Sequence, residues 1–263
     1  MADEARRVKG VVDLVILLDV SGSMQECIEA LKGNIRDFVM QMSNKDANND
    51  SPIKDWRLKV CGYRDQQADG TNWFVDNPFV RDVAAVQSQL TAANMQHHGG
   101  GNEPESLLDA LWKLAKIEQS GAQDEESPDK WRARGTATRI IVFFTDATYN
   151  TPMTLPEAAG GGVADVISAL MAAKIIPVGF VPEWSGYLDL AACDPSEMTA
   201  YVKVESCPAI AKLGSSREEG GEAAQAAAVQ ALKALSRDSE GFAKLMRQLA
   251  KTVVKSGNAP MAC

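Results

Sequence analysis

Histidine is scarce in this sequence, with only two residues, His97 and His98, among 263. Because these two are adjacent, catalysis by several separated histidines is excluded. The five cysteines are scattered and none forms a Cys-x-x-Cys pair, so no zinc-binding spacing can be built. An odd number of scattered cysteines is typical of a protein with buried or incidental thiols in a reducing compartment.

Excess positive charge and long apolar runs are also lacking. Lysine and arginine number 27 against 35 aspartates and glutamates, a formal net charge of −8 that argues against a general nucleic-acid binder. No apolar run approaches the roughly 18 residues of a membrane span. The first ten residues, MADEARRVKG, show no apolar core of a signal peptide. We therefore expect a cytoplasmic protein with no nucleic-acid or membrane partner.

Apolar runs alternate with helical patterns along the chain. The nearly continuous aliphatic and aromatic runs at 11–19 and 138–146 predict strands buried on both faces of a parallel sheet. Other strands are predicted at 57–63, 73–80, 175–181 and 201–204, and helices at 27–42, 82–90, 107–115, 222–235, 242–254 and in a segment that ends at 173. Strands that alternate with helices predict an α/β fold with a mostly parallel sheet, covered on both faces.

A polar turn, Asp19-Val20-Ser21-Gly22-Ser23, follows the first strand. In such folds the ligand site lies beyond the carboxyl ends of the strands. One carboxylate and two hydroxyls converge there, and these hard oxygen donors suit Mg²⁺ or Mn²⁺ better than Zn²⁺. The competing interpretation is an ordinary helix-capping turn with Ser23 as the N-cap.

Two further loops carry carboxylates. Thr145-Asp146-Ala147-Thr148 ends the other buried strand, where a carboxylate is costly unless it is paired, metal-bound or capping a turn. The segment 99–105, GGGNEPE, precedes a helix but lacks Gly-Lys-Ser/Thr, so a phosphate-binding P-loop is excluded. The competing interpretation places its acids and Pro104 at the favourable N-terminus of that helix.

Together these three loops resemble a von Willebrand factor type A domain with a metal-ion-dependent adhesion site (MIDAS). The resemblance covers residues 11–254. It implies a doubly wound, Rossmann-like, mostly parallel sheet with helices on both faces and a metal at its C-terminal edge. It implies one domain over 11–255, with C-terminal helices in 215–255, between tails at 1–10 and 256–263.

The resemblance also implies a set of metal ligands. These ligands are Asp19, Ser21, Ser23, Glu105 and Asp146. The implied ion is Mg²⁺, with Mn²⁺ and Ca²⁺ as alternatives. Glu105 stands where many of these domains carry a threonine, as in the acidic-loop branch formed by integrin β I-like and α-kinase-associated domains. Residues assigned around the ligands or to a partner contact are Asn102, Glu103, Thr145, Thr148 and Asp65.

A stand-alone, intracellular, bacterial-type member of this family is implied to be a binding module and not an enzyme. An acidic residue of a protein partner would fill the open coordination position, and the chain would act as an assembly or signalling scaffold. One alternative is a Mg²⁺-dependent phosphatase or phosphotransferase with Asp19 as nucleophile. Against it, Ser21 stands where the haloacid-dehalogenase pattern needs a second acid. The other alternative is a metal-free scaffold that assembles through its C-terminal helices.

Overall fold

The computed structural model describes residues 10–43, 52–92, 95, 104–122, 124–158, 160–181, 185–191, 230 and 233–258. Several predictions fall outside these ranges. They are the strand at 201–204, most of the helix at 222–235, and the residues His97, His98, Asn102 and Glu103.

Five strands form one sheet: β1 Val11–Asp19, β2 Asp55–Tyr63, β3 Phe74–Asp76, β4 Thr138–Phe144 and β5 Ile175–Phe180. Their order is β3-β2-β1-β4-β5, and every pair is parallel except β2 with β3. The central β1 is aliphatic along most of its length because both of its faces are buried. The predicted α/β class with a doubly wound, mostly parallel sheet is confirmed.

Helices cover both faces of the sheet. They are α1 Gln25–Ser43, α2 Gln66–Asp69, α3 Val83–Thr91, α4 Leu107–Lys116, α5 Val163–Ala173, α6 Ser185–Ala191 and α7 Ser239–Asn258. Side chains of β1 alternate between two cores. Leu14, Ile16 and Leu18 pack with α1 and α7, whereas Val15 and Leu17 pack with α4 and α5. No helix in the described ranges is both long and apolar enough to cross a membrane.

Some predicted element ends are wrong. The strand predicted at 73–80 is only the antiparallel edge strand β3, and proline at 78 cannot donate a ladder hydrogen bond. Beyond it, Val80 forms an isolated bridge with Leu58. The strand predicted to reach 146 ends at Phe144, where the Thr145 hydroxyl accepts from Ala147 N and starts a turn. The last helix continues beyond 254 to Asn258.

The amino end of β1 carries a buried ion network around Asp13, which is fully buried. Arg57 donates Nε to Asp13 Oδ1 at 3.0 Å and Nη2 to Oδ2 at 2.7 Å. Arg132 donates Nε to Oδ1 at 2.7 Å and its backbone N to Oδ2 at 2.8 Å. Arg57 also donates to the carbonyls of Ser127 and Lys130. The network therefore fastens the segment 127–132 to the sheet.

Candidate metal site

Asp19 lies at the carboxyl end of β1, and its side chain is fully buried. Ser21 N donates to Asp19 Oδ1 at 2.8 Å, and Thr145 Oγ1 donates to Oδ2 at 2.7 Å. Burial raises the pKa of Asp19 above its ordinary value, and it outweighs these hydrogen bonds and the positive charge of Arg64. The carboxylate is thus held by neutral donors in a setting that disfavours its charge.

A chain of hydroxyls connects Ser21 to Asp146. Ser21 Oγ and Ser23 Oγ are 3.2 Å apart, and Ser23 Oγ donates to Asp146 Oδ1 at 3.0 Å. The alternative that makes Ser23 a helix N-cap is wrong, because Ser23 lies within a short 3₁₀ turn, Gly22–Met24, and α1 begins at Gln25. The turn after β1 and the turn after β4 therefore meet, because their two strands are paired neighbours.

Glu105 joins this edge through its backbone. Glu105 N donates to Thr148 O at 3.0 Å, and Asn150 N donates to Glu105 O at 2.8 Å, which forms a parallel bridge with Tyr149. The alternative that places Pro104 in the first helical turn is wrong, since α4 begins only at Leu107. Glu105 directly precedes Ser106, the N-cap of α4, and its backbone is held by the loop that follows β4.

The Glu105 carboxyl group is buried, with 3% of the residue exposed. Its Oε2 has no hydrogen-bond partner among the described residues. Burial, followed by the negative charges of Asp19, Asp65, Asp69 and Asp146, raises the pKa of Glu105 to about 9. Such a group gains strongly from a nearby cation.

The donor set fits a hard divalent cation. Carboxylate and hydroxyl oxygens are the ligands that Mg²⁺ and Ca²⁺ prefer. Within the described ranges, no group of three or more His, Cys, Asp or Glu side chains is arranged to hold a metal ion. The carboxylates of Asp19, Glu105 and Asp146 therefore do not form such a group, and the geometry that brings donors together is the hydrogen-bonded set Asp19, Ser21, Ser23 and Asp146.

The other predicted residues are spread around this centre. The Thr145 hydroxyl donates a hydrogen bond to Asp19, and the Thr148 carbonyl accepts one from the Glu105 backbone N–H. Asp65 accepts from Gln67 N at 3.1 Å at the start of α2. Glu26, which was not among the predicted site residues, lies in the first turn of α1 and accepts two hydrogen bonds of 2.7 Å from Arg237.

Sequence reasoning overlooked three residues here. Asn150 and Ser106 link the loops through their side chains. Tyr63 pairs with Asp19 in the sheet register, and its hydroxyl is buried. Burial and the charge of Asp19 raise the pKa of Tyr63 well above its usual range. The only signals in the sequence were the position of Tyr63 at the end of β2, of Asn150 in the loop after β4, and of Ser106 beside Glu105.

No protein-family model matches the chain, and no curated protein matches it. Among solved structures, the chain is similar to the pilus adhesin SpaC from Lactobacillus rhamnosus GG in an open conformation. The identity is 12% and the TM-score 0.45, over 94% of this chain and 30% of that one.

The chain is also similar to proximal thread matrix protein 1 from the mussel byssus. For one crystal form the identity is 16% and the TM-score 0.44, over 68% of this chain and 41% of that one. A structure of the same protein with a zinc-occupied MIDAS motif gives 14% identity and a TM-score of 0.44, over 70% and 42% of the two chains. The chain thus spans well under half the length of each of these structures.

Proposed function

We propose that this chain is a protein-binding module that depends on a divalent cation, of the von Willebrand factor type A kind. The observation that carries the proposal is the hydrogen-bonded assembly of Asp19, Ser21, Ser23 and Asp146 at the carboxyl edge of the sheet. The buried Oε2 of Glu105 supports it, since this oxygen accepts no hydrogen bond from the described residues.

The proposed ion is Mg²⁺, held by Asp19, Ser21, Ser23, Glu105 and Asp146. Bound there, Mg²⁺ would supply an open coordination position for an oxygen of an acidic residue from a protein partner. Three carboxylates exceed the two positive charges of the ion. We therefore expect the ion to be firmly retained and its pull on an incoming anion to be moderate.

A scaffold role in the cytoplasm is part of this proposal. The two cysteines in the described ranges, Cys27 and Cys61, are buried free thiols, as in proteins of reducing compartments. Burial raises the pKa of both thiols far above the ordinary value, so neither is a reactive thiolate.

Titration calorimetry of the metal-stripped chain with MgCl₂ and MnCl₂ tests the metal site. We expect binding by the natural chain and loss of binding in Asp19→Asn. Asp82→Asn is the matched control, because Asp82 caps α3 by accepting from Ala85 N, and asparagine caps equally well. No binding by the natural chain would refute the metal site and favour the metal-free scaffold.

Water-proton relaxation of the Mn²⁺-loaded chain tests the open position. Acetate, as a mimic of the acidic residue, should displace a metal-bound water and lower the relaxation enhancement, whereas acetamide should not. Hydrolysis of an aryl phosphate that requires Mg²⁺ and disappears in Asp19→Asn would instead show the phosphatase alternative.

A further inference from the structure

Three loops meet at the side chain of Asn150, just beyond the candidate metal site. Its Nδ2 lies 3.1 Å from Asp65 Oδ1, in the loop after β2. The same nitrogen lies 3.2 Å from Pro104 O and 3.5 Å from Ser106 Oγ, in the loop before α4. Asn150 itself belongs to the loop after β4. One amide group therefore contacts all three loops.

Ser106 closes the same network from the other side. This residue is fully buried, and its hydroxyl accepts from Gln66 N at 2.9 Å and lies 3.4 Å from Asp65 Oδ1. The Asp65 carboxylate in turn accepts from Gln67 N, so its position is also fixed by the backbone. We call Asp65, Ser106 and Asn150 the loop clasp.

The loop clasp makes hydrogen bonds with the residues on both sides of Glu105, which are Pro104 and Ser106. Asn150 bonds the carbonyl of Pro104 through its side chain and the carbonyl of Glu105 through its backbone N. Ser106, the residue after Glu105, is held by the hydrogen bond that its hydroxyl accepts from Gln66 N. The Glu105 backbone therefore has little freedom to shift or rotate, although its carboxyl Oε2 has no partner of its own in the described residues.

We infer that Asn150, through the loop clasp, is a positioning residue that fixes the backbone of Glu105 and thereby sets the affinity and size preference of the proposed cation site. The inference rests on the proposed function. Groups that orient a ligand without touching the ion commonly change metal affinity by about 10- to 100-fold. Mg²⁺ demands near-ideal octahedral geometry, whereas Ca²⁺ tolerates irregular ligands. A looser Glu105 should therefore weaken Mg²⁺ binding more than Ca²⁺ binding.

The test is calorimetric titration of the metal-stripped full chain with MgCl₂ and CaCl₂. Asn150→Ala should weaken Mg²⁺ binding by about 10- to 100-fold and shift the preference toward Ca²⁺. Asn77→Ala is the matched control, because Asn77 is also a half-buried loop asparagine, and its Nδ2 donates to Val60 O at 2.8 Å. It should leave both affinities within about twofold.

The double variant Asn150→Ala with Glu105→Ala distinguishes loss of Glu105 positioning from a general loss of structure. If Asn150 acts through Glu105, Asn150→Ala should cause no further loss of Mg²⁺ affinity when Glu105 is already alanine. Ser106→Ala provides a second route into the loop clasp should Asn150→Ala not fold, with an expected loss of about tenfold.

The outcomes are distinct. If the natural chain binds Mg²⁺ but Asn150→Ala and Ser106→Ala leave its affinity unchanged, the inference is refuted and the proposed function stands. Equal losses with and without the Glu105 side chain, or equal losses for Mg²⁺ and Ca²⁺, also refute it. If the natural chain binds neither Mg²⁺ nor Mn²⁺, the proposed function is refuted and the inference falls with it.

Discussion

Asp13 and Asp19 lie six residues apart on β1 and are both fully buried, yet the groups around them differ in charge. Asp13 accepts hydrogen bonds from the guanidinium groups of Arg57 and Arg132. Asp19 accepts from a backbone N–H and a threonine hydroxyl, and the positive charge of Arg64 also acts on it. One end of the strand therefore has a carboxylate hydrogen-bonded to two arginines, whereas the carboxyl group at the other end accepts hydrogen bonds from neutral groups.

This difference separates structural from functional use of the same residue type. A buried carboxylate between two arginines has its charge balanced and its oxygen atoms hydrogen-bonded within the protein. A buried carboxyl group among hydroxyls and other acids is disfavoured in its charged form, and either a proton or a bound cation relieves that cost. The carboxyl edge of the sheet is therefore the end of the molecule at which the proposed cation would stabilise ionised carboxylates.

The largest effect is expected from Asp13→Asn. The substitution removes the buried carboxylate shared by Arg57 and Arg132 and leaves these buried guanidinium groups with only the partly exposed acids Asp55 and Glu126. Breaking a buried ion pair on one side costs about 3–5 kcal/mol. Urea denaturation of the metal-free chain should show this loss of unfolding free energy. A loss below 1 kcal/mol, on the scale of exposed pairs, would contradict the contrast between the two ends.

The next largest effect is the pH dependence of the metal-free chain. Because the pKa of Glu105 is raised to about 9 in the folded state, the folded chain binds this proton more tightly than the unfolded chain. Its contribution to stability is therefore fully present below the unfolded pKa and is lost as pH rises toward about 9. The slope is at most about 1.4 kcal/mol per pH unit from this group.

Glu105→Gln and added Mg²⁺ check the origin of that slope. Glutamine cannot ionise, so urea denaturation from mildly acidic to mildly alkaline pH should lose this component of the slope. Saturating Mg²⁺ should reduce the same component in the natural chain, because the ion favours the ionised carboxylate. An identical slope for Glu105→Gln and the natural chain would assign it to another group.

A smaller effect of opposite sign is expected from Asp19→Asn. Removing a buried charge that has only neutral donors should raise the unfolding free energy of the metal-free chain by on the order of 1 kcal/mol at neutral pH. The same chemical change therefore destabilises one end of β1 and stabilises the other. Chemical denaturation without Mg²⁺ measures both; destabilisation by Asp19→Asn as large as that by Asp13→Asn would remove the contrast.

Part of this organisation could be predicted from the sequence. The bounds of β1 follow from a continuous apolar run, and the turns with Asp19 and Asp146 follow from the ends of two such runs. Asp13 was not recognised as an ion-pair centre, because its partners lie 44 and 119 residues away along the chain. Local patterns do not report such distant pairing.

The loop clasp could not be predicted for the same reason. Asn150 and Ser106 acquire their roles only because the loops after β2 and β4 and before α4 converge in space. The short edge strand β3 was predicted too long because Trp73 and Phe79 look like strand residues, although both are core side chains of irregular segments. Packing, and not the strand preference of the side chains, determines the backbone conformation at Trp73 and Phe79.

The smallest effect is expected from substitution of Glu26. This acidic residue lies three positions after Ser23 in the sequence and pairs with Arg237. Its bidentate contact with Arg237 lowers the pKa of Glu26 and occupies both carboxylate oxygens, so we expect no role in holding the ion. The pair is exposed, and exposed pairs contribute little to stability. Glu26→Gln should therefore leave Mg²⁺ affinity within about twofold and the urea midpoint nearly unchanged. A marked loss of Mg²⁺ affinity would place Glu26 with Asp19 in this comparison, as a carboxylate that needs the cation.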